Sequence, residues 1–163
     1  MSYFLLGDFS RFILHYAMHR VPLLWKIHKV HHSATVLTPL TVYRFHPLEM
    51  LLYQLRLLIV MSCLAGFFAW FFQGHISGLS ILGVDALGFT FNFIAANLRH
   101  SHIPLSFGRF AHVFISPAQH QIHHSNNIAD FDKNFGTCLA LWDKLFHSWR
   151  PAKAKQKLTF GLS

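Results

Sequence analysis

Apolar residues at helical spacing mark the start of the chain. Phe9, Phe12, Ile13, Tyr16 and Ala17 recur every three or four residues and predict a helix over Phe4–Arg20, ended by Pro22. Leu23–His32 predicts a second, shorter helix. Ser33–Phe45 shows no clear period and reads as loop or extended chain. His46-Pro47 then opens a long apolar run, with the proline suited to a first helical turn. Met50–Phe72 is 23 residues, of which the uninterrupted part, Leu57–Phe72, is 16. A helix of that full length spans roughly 34 Å, enough for a hydrocarbon layer of ~30 Å. Gln54 and Arg56 are expected near the headgroups, where long side chains snorkel. A turn follows at Gln73–Gly78, and Ile76–Leu98 is again 23 residues. That second stretch is less apolar and contains Asp85, Asn92 and Asn97. A charge near a span centre costs about 2.5–3.5 kcal/mol, so Asp85 either faces a partner helix or weakens the span.

Beyond the apolar runs the pattern breaks up. Arg99–Ile115 is interrupted by Pro104 and Gly108. Ser116-Pro117-Ala118-Gln119 has the marks of a helix start: Ser at the cap, Pro at the first position, Gln three after the cap. The helix it opens is expected to end at Ser125-Asn126-Asn127. Residues 130–136 read as a polar loop. Thr137–Trp149 reads as an amphipathic helix carrying Leu139, Trp142, Leu145 and Phe146. The basic tail from Arg150 is expected to be loose.

Together these elements predict a single all-α domain over residues 1–163. It is an integral membrane helical fold, with one transmembrane hairpin over residues 47–98 plus cytoplasmic histidine-bearing helices. The charge map supports the hairpin. The net charge is +8, yet none of the 14 Lys and Arg residues falls between Leu57 and Leu98. Under the positive-inside rule both flanks are then cytoplasmic. A down-and-up hairpin returns the chain to the side it left, so residues 15–32 and 100–124 meet at one membrane face. The competing reading is a soluble helical protein with the two long helices as its core. The basic tail suits lipid phosphates better than nucleic acid, because no base-stacking or groove-reading motif accompanies it. Cys63 and Cys138 form no motif, and Met1–Leu6 is too short and lacks the basic start of a signal peptide.

The candidate chemistry lies in the histidines. The chain has 14 of them against six carboxylates, so a multi-metal site must rest on imidazole. His28-x-x-His31-His32 and His120-x-x-His123-His124 are near-copies, each expected to present one imidazole face on a short helix. His15-x-x-x-His19 places two more at i and i+4. His100-Ser101-His102 adds a weaker box, with His102 the doubtful member. Crowded imidazoles repel once protonated, and a metal that takes neutral imidazole relieves this. A tetrahedral site uses four ligands. The nine histidines 15, 19, 28, 31, 32, 100, 120, 123 and 124, with His102 a possible tenth, therefore suit two metals with positions left open. Imidazole does not choose among Zn, Cu, Fe and Ni. The setting beneath apolar helices suits a lipid, and unactivated hydrocarbon calls for iron with O2. Asp130, Asp132, Asn134 and Asn97 are candidates for orienting the rings. His46, His75, His112 and His147 lie outside the boxes.

These motifs resemble the fatty acid hydroxylase / sterol desaturase superfamily of membrane di-iron oxygenases, in its bacterial sterol-desaturase-like branch. The resemblance runs through Asp8, His15-Tyr-Ala-Met-His19-Arg20, Leu24–Ser33, and Tyr43-Arg44-Phe45-His46-Pro47-Leu48-Glu49. It continues through His100–Ile103, Ser116–Ser125, Asp132-Lys133-Asn134-Phe135-Gly136 and Leu141–Phe146. It implies an all-helical membrane fold with a cytoplasmic di-iron centre held by the nine histidines. It also implies O2-dependent hydroxylation or desaturation of a fatty acyl or sterol-like lipid, with electrons from a separate reductase or small carrier. Three positions depart from the pattern. Few residues precede the first helix, where such proteins usually carry further membrane helices. Ala96 stands where a second histidine of the third box is often found, leaving His102 or a water to fill in. His147-Ser148 replaces a usual Gly-Thr. The alternative is a metal-binding membrane protein without oxygenase activity, either a degenerate relative or a metal transporter.

Overall fold

The structure, a computed structural model, describes residues 2–73, 98–153 and 157–162. The turn after Gln73 and all but the last residue of the second expected arm, with His75, Asp85, Asn92 and Asn97, lie outside the described residues. Among the described residues there is no strand, only two isolated bridges, and the ordered elements are helical.

Helix α1, Ser2–Arg20, buries Tyr3, Asp8, Phe12, His15 and Met18 along one stripe. The spacing of these residues puts them on one helical face. Phe12 is fully buried against Phe135 and Phe146, with ring centres 6.3 and 5.0 Å away. Burying such a side chain stabilises the fold by roughly 1.5–3 kcal/mol. Pro22 bends the chain and opens α2, Pro22–His32. The Ser33 hydroxyl closes α2 by donating to the Val30 carbonyl at 2.7 Å. The segment expected to be irregular contains a short 3-10 turn, Pro39–Tyr43, held by a Thr38/Thr41 capping box.

Helix α3, Pro47–Phe71, begins three residues earlier than its apolar run because Pro47 takes the first position and the His46 ring caps the start. It runs antiparallel to α1. Glu49 meets His28 at 2.7 Å, the Arg11 guanidinium lies over the Tyr53 ring at 5.5 Å, and Phe68 stacks on Tyr3 at 5.6 Å. Arg56 reaches across to α1. It donates to the Gly7 carbonyl and the Ser10 hydroxyl, tying α3 to α1. Among the described residues α3 is the one helix long and apolar enough to cross a membrane, and none of its most apolar window is buried.

Helix α4, Pro117–His123, has the cap its sequence predicts. The Ser116 hydroxyl accepts from the Gln119 amide, and the Gln119 carboxamide oxygen accepts from the Ser116 amide at 3.0 Å. Every residue of α4 is buried. The amphipathic helix expected over Thr137–Trp149 is much shorter: α5 spans Leu141–Leu145 only. Residues 138–140 are drawn instead alongside Val113–Ile115, where Ile115 N donates to Cys138 O and Ala140 N to Val113 O, both at 2.8 Å. Those backbone groups are unavailable to a helix. At the far end His147 turns left-handed (φ 57°) and Ser148 N returns to Asp143 O. Asp8 fastens this unit to α1 by accepting from Leu139 N and from the Trp142 indole. Nor is the tail loose throughout. Asn126 N donates to Thr159 O at 2.9 Å, and Ser125 bridges to Phe160.

Candidate metal centre

Nine histidine side chains converge where α1, α2 and α4 meet the loop at His100. They fall into two groups, each with nitrogens within 4.8 Å of one another: His15, His19, His28, His32 and His123, and His31, His100, His120 and His124. Each HxxHH helix serves both groups. His28 and His32 join the first while His31, between them, joins the second; His120 and His124 join the second while His123 joins the first. Helical geometry explains the split. Residues i and i+4 are offset by about 40° around the axis, whereas i+3 falls about 60° to the other side. The single imidazole face expected of each box is therefore two sectors aimed at two points.

Acceptors on the outer ring nitrogens set the first group. His15 Nδ1 donates to the Phe135 carbonyl at 2.7 Å and His123 Nδ1 to the Lys133 carbonyl at 2.9 Å. A carbonyl can only accept, so these Nδ1 atoms carry the proton and the Nε2 atoms present lone pairs. His28 Nδ1 meets Glu49 Oε1 at 2.7 Å, and both side chains are almost wholly buried. Asp132 Oδ1 stands 3.9 Å from His19 Nδ1. The Nε2 atoms of all five histidines are buried without a hydrogen-bond partner.

In the second group the Nε2 atoms themselves crowd together. His31 to His100 is 3.0 Å, His100 to His120 is 3.1 Å, and His120 to His124 is 3.2 Å. A ring nitrogen holds a proton or a lone pair, never both. Three separate hydrogen bonds along that line would require one proton to serve two contacts. A cation bound by nitrogen at about 2.1 Å, by contrast, places right-angled ligand atoms about 3.0 Å apart.

Burial keeps the cluster neutral. It pushes His15, His19, His31, His32, His120 and His124 well below the ordinary imidazole value, and neighbouring imidazoles push the same way. His123 is lowered by burial to about 3, against the opposing pull of the Lys133 carbonyl. Neutral imidazole is the form that ligates metal. Orphaned Nε2 atoms in one group, crowded ones in the other and an all-nitrogen donor set fit a pair of divalent first-row metals.

The family model for fatty acid hydroxylase matches residues 1–148. The chain belongs to the fatty acid hydroxylase family. It is similar to alkylglycerol monooxygenase of Xenopus tropicalis, 25% identical over 98% of this chain and 32% of that protein. The Homo sapiens alkylglycerol monooxygenase is 25% identical over 99% of the chain and 32% of its own length. Ornithine lipid hydroxylase OlsE of Rhizobium tropici is 27% identical over 97% of the chain and 44% of its own. The chain thus spans about a third of the length of the alkylglycerol monooxygenases it matches. No solved structure matches it.

Among the described residues, the other histidines of this fatty acid hydroxylase family member stand apart. His102 is exposed and lies outside both groups, because the chain leaves the cluster straight after the buried Ser101. His46 caps α3 and His112 packs on Trp149 at 4.7 Å. Of the proposed ring-orienting residues, Asp132 approaches His19, Asp130 pairs with Arg150, and Asn134 holds backbone at Gln119 and Arg150. Glu49, the carboxylate in closest contact with a ring, carries no local sequence signal of that role. Nor do the carbonyls of Lys133 and Phe135, which a sequence does not display. Asp143 fixes that loop by accepting from Phe135 N, Gly136 N and the Ser148 hydroxyl. A cavity of about 500 Å³ opens beside His19, His32, His123 and His124, walled in part by Trp25 and Lys29.

Proposed function

We propose that the chain is an O2-dependent non-haem di-iron oxidoreductase acting on a membrane lipid, by hydroxylation or desaturation. The observation that carries this reading is the pair of adjacent all-histidine groups built from shared helices. Membership of the fatty acid hydroxylase family supports it, and so does similarity to proteins named for alkylglycerol and ornithine lipids. Iron with O2 supplies the oxidising power that an unactivated C–H bond demands. The protein's own contribution is orientation. Phe135, Lys133 and Glu49 hold three rings with their Nε2 lone pairs turned inward. His28, His31, His32 and the second HxxHH box would hold the two ions, with His15, His19 and His100 completing the sets.

The exposed apolar flanks of α3 suit a bilayer, and the basic flanks suit its cytoplasmic side. In that setting the metal groups sit at the membrane face, and electrons come from a separate donor. The test is metal analysis of detergent-purified protein together with lipid mass spectrometry of cells with and without it. The expected result is close to two irons per chain and an O2-dependent lipid product that vanishes when His120, His123 or His124 is replaced by Ala. One zinc per chain and no iron would overturn the reading.

A further inference from the structure

Four of the five described carboxylates, Asp8, Glu49, Asp130 and Asp143, are buried. The fifth, Asp132, is held by Arg20 at 3.4 Å. The exposed charge of the described residues is therefore almost wholly positive. One cluster of it stands beside the metal groups. On α2, Lys26 and Lys29 share a flank at i and i+3, with Trp25 at its edge. Both lysines are exposed; Arg20 at the end of α1 is paired with Asp132, which lines the same cavity, so the two lysines carry the uncompensated charge. Lys29 and Trp25 line the mouth of the cavity that opens on His19 and His32. The Trp25 ring lies 5.1 Å from the His19 ring and 5.5 Å from the His32 ring. The face also points away from the apolar run. Moving up α3 from Glu49 to Phe68 means moving down α1 from the histidines to Tyr3, whereas Arg20, Trp25 and the cavity lie beyond the histidines at the opposite end.

We propose that the Lys26 and Lys29 face beside Trp25 is the docking surface for an acidic one-electron carrier protein, which passes electrons to the metal groups at their water-facing side. This rests on the oxygenase reading. Hydroxylation of a C–H bond takes one O2, two electrons and two protons, leaving one oxygen atom in the alcohol and one in water. Two successive encounters with a one-electron carrier supply the electrons, and solvent supplies the protons. Charge complementarity names the partner. A cationic rim beside an aromatic side chain in contact with the His19 and His32 rings would steer a negatively charged protein and leave a short path inward.

The test uses purified, iron-loaded full-length chain. The rate of reduction of its metal centre is followed by absorbance, with dithionite-reduced acidic [2Fe–2S] ferredoxin as one reductant and dithionite alone as the other. Charge reversal at both lysines (K26E with K29E) is compared with R109E, a reversal at an exposed site on another segment. The expected result is at least about a tenfold fall in the ferredoxin rate for the double variant, a wild-type rate that falls with ionic strength, and little change for R109E. Iron content and reduction by dithionite alone stay unchanged. Equal ferredoxin rates in wild type and double variant overturn the proposal. So does a double variant that loses binding to phosphatidylglycerol vesicles but keeps its ferredoxin rate, since the face then reads lipid. Failure of dithionite itself to reduce any bound metal sinks the oxygenase reading instead, and this inference with it.

Discussion

His28 and Glu49 are 21 residues apart in the chain and 2.7 Å apart in space, with the carboxylate at 0% exposure. The contact joins the first turn of the apolar helix to the histidine groups, so α3 both leaves the site and orients one of its rings. Replacing Glu49 with Gln keeps the shape and removes the charge behind the ring. Outer partners of this kind are worth about 10–100-fold in metal affinity. Chelator competition on E49Q is expected to show a loss in that range, with metal lost first from one of two classes of site. Equal retention of both metals would contradict the assignment.

The two groups make separable predictions for single histidines. Replacing His100 with Ala removes one of four nitrogens from the second group and none from the first, whereas replacing His15 does the reverse. Each variant is expected to bind close to one metal per chain instead of two. H102A, outside both groups, is expected to bind two. Metal analysis by mass spectrometry distinguishes all three, and it needs no substrate.

Acid should unfold the metal-free protein. An imidazole whose folded value is lowered binds its proton more readily in the unfolded chain, so the unfolded state gains protons as pH falls below about 6.5. For His123 the window runs from there down to about 3, and the other lowered histidines act in the same direction. Stability is then fully present above about pH 7 and lost progressively below it. Thermal unfolding of chelator-treated protein in detergent, compared at pH 8 and pH 5.5, is expected to show a clear drop at the lower pH. An equal or higher midpoint at pH 5.5 would show that the rings are not buried in neutral form.

Gly136 has no room for a side chain. A Cβ there would lie 2.7 Å from Asp143 Oδ2, 2.8 Å from Leu139 O and 2.9 Å from Ile115 Cγ1. G136A must therefore push aside the carboxylate and backbone that fix Phe135, whose carbonyl orients His15. Overpacking of this sort costs about 1–3 kcal/mol. The expected signature is a lowered unfolding midpoint together with weakened metal binding, and D143A should reproduce both.

The helices and the nine converging histidines were legible because their signals are local. Helical spacing in α1, the proline that ends it and the Ser116/Gln119 cap each act within a turn or two. The division of labour within each HxxHH box was implicit in the same spacing, since i+4 and i+3 diverge, but it became visible only once two target points existed. The rings' outer partners were less legible. Carbonyls such as those of Phe135 and Lys133 belong to every residue alike, and only the folded loop selects them. The shortening of α5 has a similar origin. Leu139, Trp142 and Phe146 carry a helical pattern, yet Cys138 and Ala140 are claimed by backbone partners at Ile115 and Val113, about 25 residues upstream.

The crossed sharing of the two boxes has a consequence for how the protein matures. Each group draws on residues before the apolar helix and on residues after it, so the first is complete only once His123 has been made and the second only once His124 has. A nascent chain that has made only α1, α2 and α3 holds four nitrogens of the first group and a single one of the second. The complete sets that would hold the ions come together only after the long helix has been made, and each ion would then cross-link segments on either side of it. Chelation should loosen the molecule as a whole, because it would cut two staples at once.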